Sequence, residues 1–132
     1  MAHLLFVDDD ESQRMLHRRL FEHFGYQVTS AVGAPEALRL LETLVIDLVV
    51  TDWNMPGQNG IDLAKSIHAR WPGLPIILLT GYGVADAERA AADSGISRVI
   101  GKPVMMDELR SIVSATLKNT RLGQADPHDD RR

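Results

Sequence analysis

Val49-Val50-Thr51-Asp52-Trp53-Asn54-Met55-Pro56-Gly57 is the stretch around which this chain is organised. The apolar run from Val45 to Val50 predicts a buried strand, with the single carboxylate of Asp52 delivered at its C-terminal end. Met55-Pro56-Gly57 and then Gly60 predict a loop after it. A charged side chain leaving a buried strand is costly unless it has a partner or a task. In open α/β sheets that edge is where ligands bind. The reading therefore turns on what other segments send to the same edge.

Upstream, His3 to Val7 predicts a strand buried on both faces, followed without a gap by Asp8, Asp9 and Asp10. Glu11 to Phe24 carries Leu16, Leu20 and Phe24 at helical spacing, with Met15 and Phe21 beside them, and Gly25 as a C-terminal stop. Tyr26 to Ala31 reads as the second strand. Gly33 to Thr43 reads as the second helix, with Pro35 in its first turn and Ala34, Leu38 and Leu41 facing inward.

Downstream, Asn59 to Trp71 predicts a third helix that Pro72-Gly73 ends. Ile76 to Leu79 predicts a fourth strand ending at Thr80, and Gly81-Tyr82-Gly83 a flexible turn. Ala85 to Ser94 predicts an alanine-rich helix. Arg98 to Ile100 predicts a short fifth strand before Gly101-Lys102-Pro103, and Asp107 to Lys118 the last helix. Asn119 to Arg132 is polar and aperiodic, so residues 1–118 are expected to form the domain and residues 119–132 a frayed tail or linker.

Strands alternating with helices imply parallel pairing and right-handed crossovers. Near-continuous apolar strands imply a sheet covered on both faces. The expected architecture is an open, doubly wound five-stranded α/β sheet.

Bulk properties narrow the function. One domain of ordinary size fits 132 residues. A net charge of −4 leaves no basic footprint for nucleic acid. The absence of cysteine excludes disulfides, thiol catalysis and a cysteine-based zinc site. No apolar run approaches membrane-spanning length, and acids follow the first apolar run where a signal peptide would have none. A cytoplasmic domain without a membrane or nucleic-acid partner is expected.

A parallel sheet puts every strand's C-terminal end on one rim. That rim collects Asp8, Asp9 and Asp10, then Asp52, Thr80 and Lys102. Two carboxylates at ~4 Å repel by about 4 kcal/mol at an effective dielectric of 20. A proton or a divalent cation must relieve this. Oxygen donors without His or Cys favour Mg²⁺ (or Mn²⁺). A cation, an ammonium and a hydroxyl around one aspartate suit a phosphoryl group, which a carboxylate can accept as a nucleophile. Each part alone has a plainer reading: Asp8 to Glu11 as a helix N-terminus, Asp52 as a cap, Thr80 and Lys102 as turn residues. Coincidence on one rim favours chemistry. His3, His17, His23, His68 and His128 show no ligand spacing and read as structural or solvated; Trp71 and Met105-Met106 read as packing.

These residues resemble the receiver domain of two-component response regulators. The ordered match runs from Leu4 to about Leu117 through Phe6-Val7-Asp8-Asp9-Asp10, Thr51 to Gly57 with Gly60, Leu78-Leu79-Thr80-Gly81 and Gly101-Lys102-Pro103. The resemblance implies a flavodoxin-like strand order 2-1-3-4-5. It implies Asp52 as phosphoacceptor from a histidine kinase or phosphotransfer protein. It implies Mg²⁺ held by Asp9, Asp52 and the Asn54 carbonyl, with Asp8 acting through water. Lys102 would pair with the phosphoryl oxygens before a cis bond to Pro103, and Thr80 would turn toward the phosphoryl group. The output surface would be helix 4, strand 5 and helix 5, serving a downstream protein, in a single-domain regulator or a receiver cut from a hybrid kinase.

One position departs. Receivers commonly carry an aromatic switch residue three places before the lysine; here it is Val99, stiff and without a ring. Tyr82, in the Thr80-Gly81-Tyr82-Gly83 loop, is either a replacement switch or a cover for the site edge. Tyr82 and Asn54 also occupy the two positions that border the hydrolysing water in this family. Two other readings compete: a degenerate receiver acting as a binding module, and a phosphatase resembling the haloacid dehalogenases with Asp8 as nucleophile. The second leaves the Asp52 motif without a role. A flavodoxin-like flavin binder would place phosphate against three acids.

Overall fold

The structure, a computed structural model, describes residues 1–81 and 83–125. Its elements are β1 (His3–Val7), α1 (Glu11–His23), β2 (Gln27–Ala31), α2 (Ala34–Thr43), β3 (Leu48–Asp52), α3 (Gly60–Arg70), β4 (Ile76–Thr80), α4 (Val84–Ala90), β5 (Arg98–Gly101) and α5 (Met106–Ala125). The strands form one parallel sheet in the order β2-β1-β3-β4-β5. This is the doubly wound architecture that the alternation and the resemblance predict.

The two faces follow from the strand period of two. Leu4, Phe6, Val50, Ile77 and Leu79 meet α1 and α5, where Phe21, Leu109 and Val113 are buried. Leu5, Val7, Val49 and Ile76 meet α2 and α3 through Ala37, Leu41, Leu63 and Ile67. A smaller cluster of Ile61, Leu78, Ala87 and Ala91 seats α4.

Four expectations shift. β3 starts at Leu48 rather than Val45 and continues to Asp52. Val45 is 84% exposed, in the connection after α2. The chain joins the sheet at Asp47, whose N–H donates to the His3 carbonyl (2.8 Å) and whose carboxylate accepts the His3 N–H (2.7 Å).

On α1 the inward residues are His17 and Phe21, with Leu20 and Phe24 half-buried, while Met15 and Leu16 are exposed. Leu16 and His17 begin adjacent helical stripes, and the phase of the helix decides between them. Asp10 sets that start: its carboxylate accepts the Ser12 N–H at 2.9 Å and the Gln13 N–H at 3.4 Å.

α4 stops at Ala90, short of Ser94, because Asp93 adopts φ 64 and Gly95 φ 84. Finally, α5 continues through Ala125 instead of ending at Lys118. Within that extension the Thr120 hydroxyl donates to the Thr116 carbonyl at 2.9 Å. Residues 126–132, part of the expected tail, lie outside the described residues, as does Tyr82.

Candidate functional site

β1 and β3 are neighbours, so Asp8 and Asp52 leave the sheet side by side. One carboxylate oxygen from each of Asp8, Asp9 and Asp52 lies within 4.8 Å of the others. Asp8 and Asp52 are buried, and Asp9 is exposed. Asp10 does not join them; its carboxylate is the cap of α1. The plainer reading of the acidic run thus holds for Asp10 and not for Asp8 or Asp9.

From the far side, Lys102 Nζ stands 2.6 Å from Asp52 Oδ1. This is an ion pair at charge-assisted hydrogen-bond distance. Lys102 is delivered by the end of β5, where its N–H donates to the Thr80 carbonyl at 2.7 Å and its bond to Pro103 is cis. Thr80 is buried as the last residue of β4. Asp8, Asp9, Asp52, His17, Lys102 and Pro103 help to line a cleft of about 760 Å³. A cleft of about 660 Å³ at the opposite end of the sheet, beside Val45 and Trp71, is remote from this chemistry. The carboxylate cluster singles out the first.

Burial, the largest cause, and the facing Asp52 carboxylate together raise the Asp8 carboxyl from its ordinary 3.8 to about 6. The Asp10 N–H (2.9 Å from Asp8 Oδ1) and Lys102 pull the other way without prevailing. A carboxyl so placed holds a proton or shares a cation. Three oxygen donors with no nitrogen or sulfur among them fit a hard divalent ion.

Asn54, two residues after Asp52, is exposed. Val99 is half-buried against the Ile61–Leu78–Ala87 cluster under α4 rather than against the cleft.

Two residues have surroundings that the sequence reading did not specify. Gly60, assigned both to the loop after β3 and to a helix beginning at Asn59, is the first residue of α3, which Asn59 caps by accepting the Ile61 and Asp62 N–H groups, each at 2.9 Å. It lies so near β3 that a Cβ there would be 2.0 Å from the Asp52 carbonyl oxygen. The Asn59-Gly60 pair was the available signal. His17, set aside with the other histidines, is 4% exposed and stacks on Phe6 at 4.8 Å beside the cleft.

A doubly wound sheet with a cation-suited carboxylate cluster and a lysine at its C-terminal edge defines a class of α/β domain built around one acidic strand end. Within it, the model of the response regulator receiver domain matches residues 4–114, and the chain belongs to that family. It is 36% identical over 132 residues to the transcriptional regulatory protein GlrR of Escherichia coli, covering 99% of this chain and 28% of that protein. It is 34% identical over 110 residues to the chemotaxis protein CheY of Pseudomonas aeruginosa, covering 81% of this chain and 89% of the relative. The solved receiver domain protein from Clostridium thermocellum superposes with a TM-score of 0.86 at 30% identity, over 92% of this chain and 98% of that one. The chain therefore spans under a third of GlrR but most of CheY. Among the described residues, no helix is long and apolar enough to cross a membrane.

Proposed function

We propose that this receiver domain is a phosphorylation-dependent signalling switch with Asp52 as acceptor. The observation that carries the reading is the Lys102–Asp52 ion pair beside the Asp8–Asp9–Asp52 oxygen cluster. Asp8, Asp9 and Asp52, with the Asn54 carbonyl, would hold Mg²⁺ or Mn²⁺, which supplies charge neutralisation for the incoming phosphoryl oxygens.

An Asp52 oxygen attacks phosphorus, and the bond from phosphorus to the donor breaks, whether that donor is a kinase phosphohistidine or acetyl phosphate. Lys102 then transfers its pairing to a phosphoryl oxygen, and the Thr80 hydroxyl donates to another. The β4 loop follows Thr80, and the surface of α4, β5 and α5 changes its affinity for a downstream protein. Val99 has no ring to relay this motion, which leaves Tyr82 either as a replacement switch or as a cover for the site edge. The domain works in the cytoplasm, alone or as part of a longer regulator or hybrid kinase. Asp8 is a poor rival nucleophile, because Lys102 pairs with Asp52 rather than with Asp8.

The test is intact mass after incubation with acetyl phosphate. One phosphoryl adduct is expected with Mg²⁺, none with EDTA, and none in Asp52→Asn. An adduct that persists in Asp52→Asn but vanishes in Asp8→Asn would overturn the assignment in favour of the phosphatase reading. No adduct and no beryllofluoride binding would leave a binding module.

A second expectation concerns pH. Asp8's folded pKa, about 6, exceeds its ordinary 3.8. In the metal-free protein the stability tied to that proton is therefore complete below the ordinary value and lost as pH rises through about 6. Mg²⁺ should replace the lost proton. Its stabilising effect in thermal melts is expected to be clear at about pH 7.5 and small at about pH 5. Equal Mg²⁺ shifts at both pH values would contradict this account of Asp8.

A further inference from the structure

His17 has no part in the phosphorylation chemistry, yet it is built into the wall of the same cleft. Its ring lies at 4.8 Å and 23° to that of Phe6, two residues before Asp8 on β1. Its Nδ1 is buried and has no hydrogen-bond partner among the described residues. The position could be filled by any apolar side chain of similar size, as Phe21 fills the next turn of the same helix face. An imidazole there brings a titratable group where packing alone asks for none.

Charges around it come from three directions. Asp8, at the end of β1, favours the imidazolium, and Lys102, before α5, disfavours it. On α1 itself, Arg14 reaches forward and donates to the Asp8 carbonyl at 2.7 Å. Burial outweighs the help from Asp8 and holds the ring below its ordinary pKa, so it is neutral at neutral pH. His17 is not one of the clustered cation donors, so its influence on them is through space. Buried charges are screened far less than exposed ones.

We propose that His17 is a proton-linked regulator of cation binding: the buried imidazolium and a divalent ion on Asp8, Asp9 and Asp52 disfavour one another, so mild acid closes the site to metal and hence to phosphorylation. This rests on the metal reading given above. Acid also protonates Asp8, but that component belongs to the carboxylates and survives removal of the imidazole. His17 adds a second proton, and with it a steeper pH dependence.

Linkage makes the coupling reciprocal. If protonated His17 weakens Mg²⁺ binding by about fivefold, Mg²⁺ must lower the His17 pKa by about 0.7, the logarithm of that factor. Imidazole NMR titrations of the wild-type chain, in EDTA and in saturating Mg²⁺, with the His17 signal assigned by its loss in His17→Gln, measure this directly. The expected result is a lower His17 pKa with Mg²⁺. A pKa unmoved by Mg²⁺ overturns the proposal.

In parallel, Mg²⁺ affinity is read from Trp53 fluorescence between about pH 7.5 and 5.5 for wild type, His17→Leu and His17→Gln. All three should bind nearly alike at the upper pH, with wild type losing up to about threefold more affinity than either variant on acidification, because a ring held below its ordinary pKa is only part of the way to full protonation at the lower pH. Identical profiles in folded variants overturn the proposal and leave the metal site standing. If no protein binds Mg²⁺ at any pH, the metal reading fails and takes this inference with it. Should both variants fail to fold, the wild-type titration alone decides.

Discussion

Lys102→Met is expected to slow phosphorylation of Asp52 by about two orders of magnitude while tightening Mg²⁺ binding. The opposite signs come from one contact, the 2.6 Å ion pair between Lys102 Nζ and Asp52 Oδ1. In the metal-free site the ammonium partly neutralises the carboxylates, so it competes with the cation for the same negative potential. Removing it leaves that potential to Mg²⁺ alone. During transfer, however, negative charge moves onto phosphoryl oxygens, and a preorganised donor at such a position is worth ~10²–10³ in rate. Methionine keeps the stem's length and apolar packing without the charge. Stopped-flow fluorescence with acetyl phosphate gives the rate, and a metal titration gives the affinity. A rate within about threefold of wild type would remove Lys102 from the mechanism, and weaker Mg²⁺ binding would refute the competition.

Gly60→Ala is expected to cost ~3 kcal/mol or more, the upper part of the range for overpacking. Its Cβ would sit 2.0 Å from the carbonyl oxygen of Asp52, 2.9 Å from its carbonyl carbon and 3.0 Å from Leu78 Cδ1. The first two are backbone atoms of a central strand and cannot swing aside as a side chain does. Either α3 lifts away, breaking the 2.8 Å bond from the Gly60 N–H to the Trp53 carbonyl, or the end of β3 is pushed out of register. Both displace the acceptor residue, so Mg²⁺ affinity should fall together with stability. Gly81→Ala is the control: nothing lies within 4 Å of its Cβ position, and it should be nearly neutral. Urea unfolding in EDTA compares them. A Gly60→Ala protein within about 1 kcal/mol of wild type, below the usual range for overpacking, would mean that the α3 junction yields.

Much of this was legible in the chain because strand ends carry the chemistry. Asp8, Asp9, Asp52, Thr80 and Lys102 each follow an apolar run, and parallel pairing alone puts such residues on one edge. The order of the strands is a different kind of information: nothing in the runs says that β1 lies between β2 and β3, and only the family resemblance supplied it. Errors arose where hydrophobicity and burial part company. Val45 is apolar and exposed, because the strand is defined by its ladder from Leu48 and not by the length of the apolar run. His17 is polar and buried, because it shares the Phe21 stripe of α1 and stacks on Phe6, while Leu16 is exposed. Gly60 signalled a turn, but its function is the absence of a side chain against β3, a distance that no pattern of residues encodes.

The exposed connection between α2 and β3 lies at the pole opposite the carboxylates, beside the second cleft. That makes Val45, 84% exposed, the natural splice point for a reporter: a fluorescent domain or peptide tag inserted there stays remote from the acidic edge. The insertion must stop short of Asp47, whose carboxylate and N–H both fasten the beginning of β1. Placed so, it would mark the domain without crowding the acidic edge.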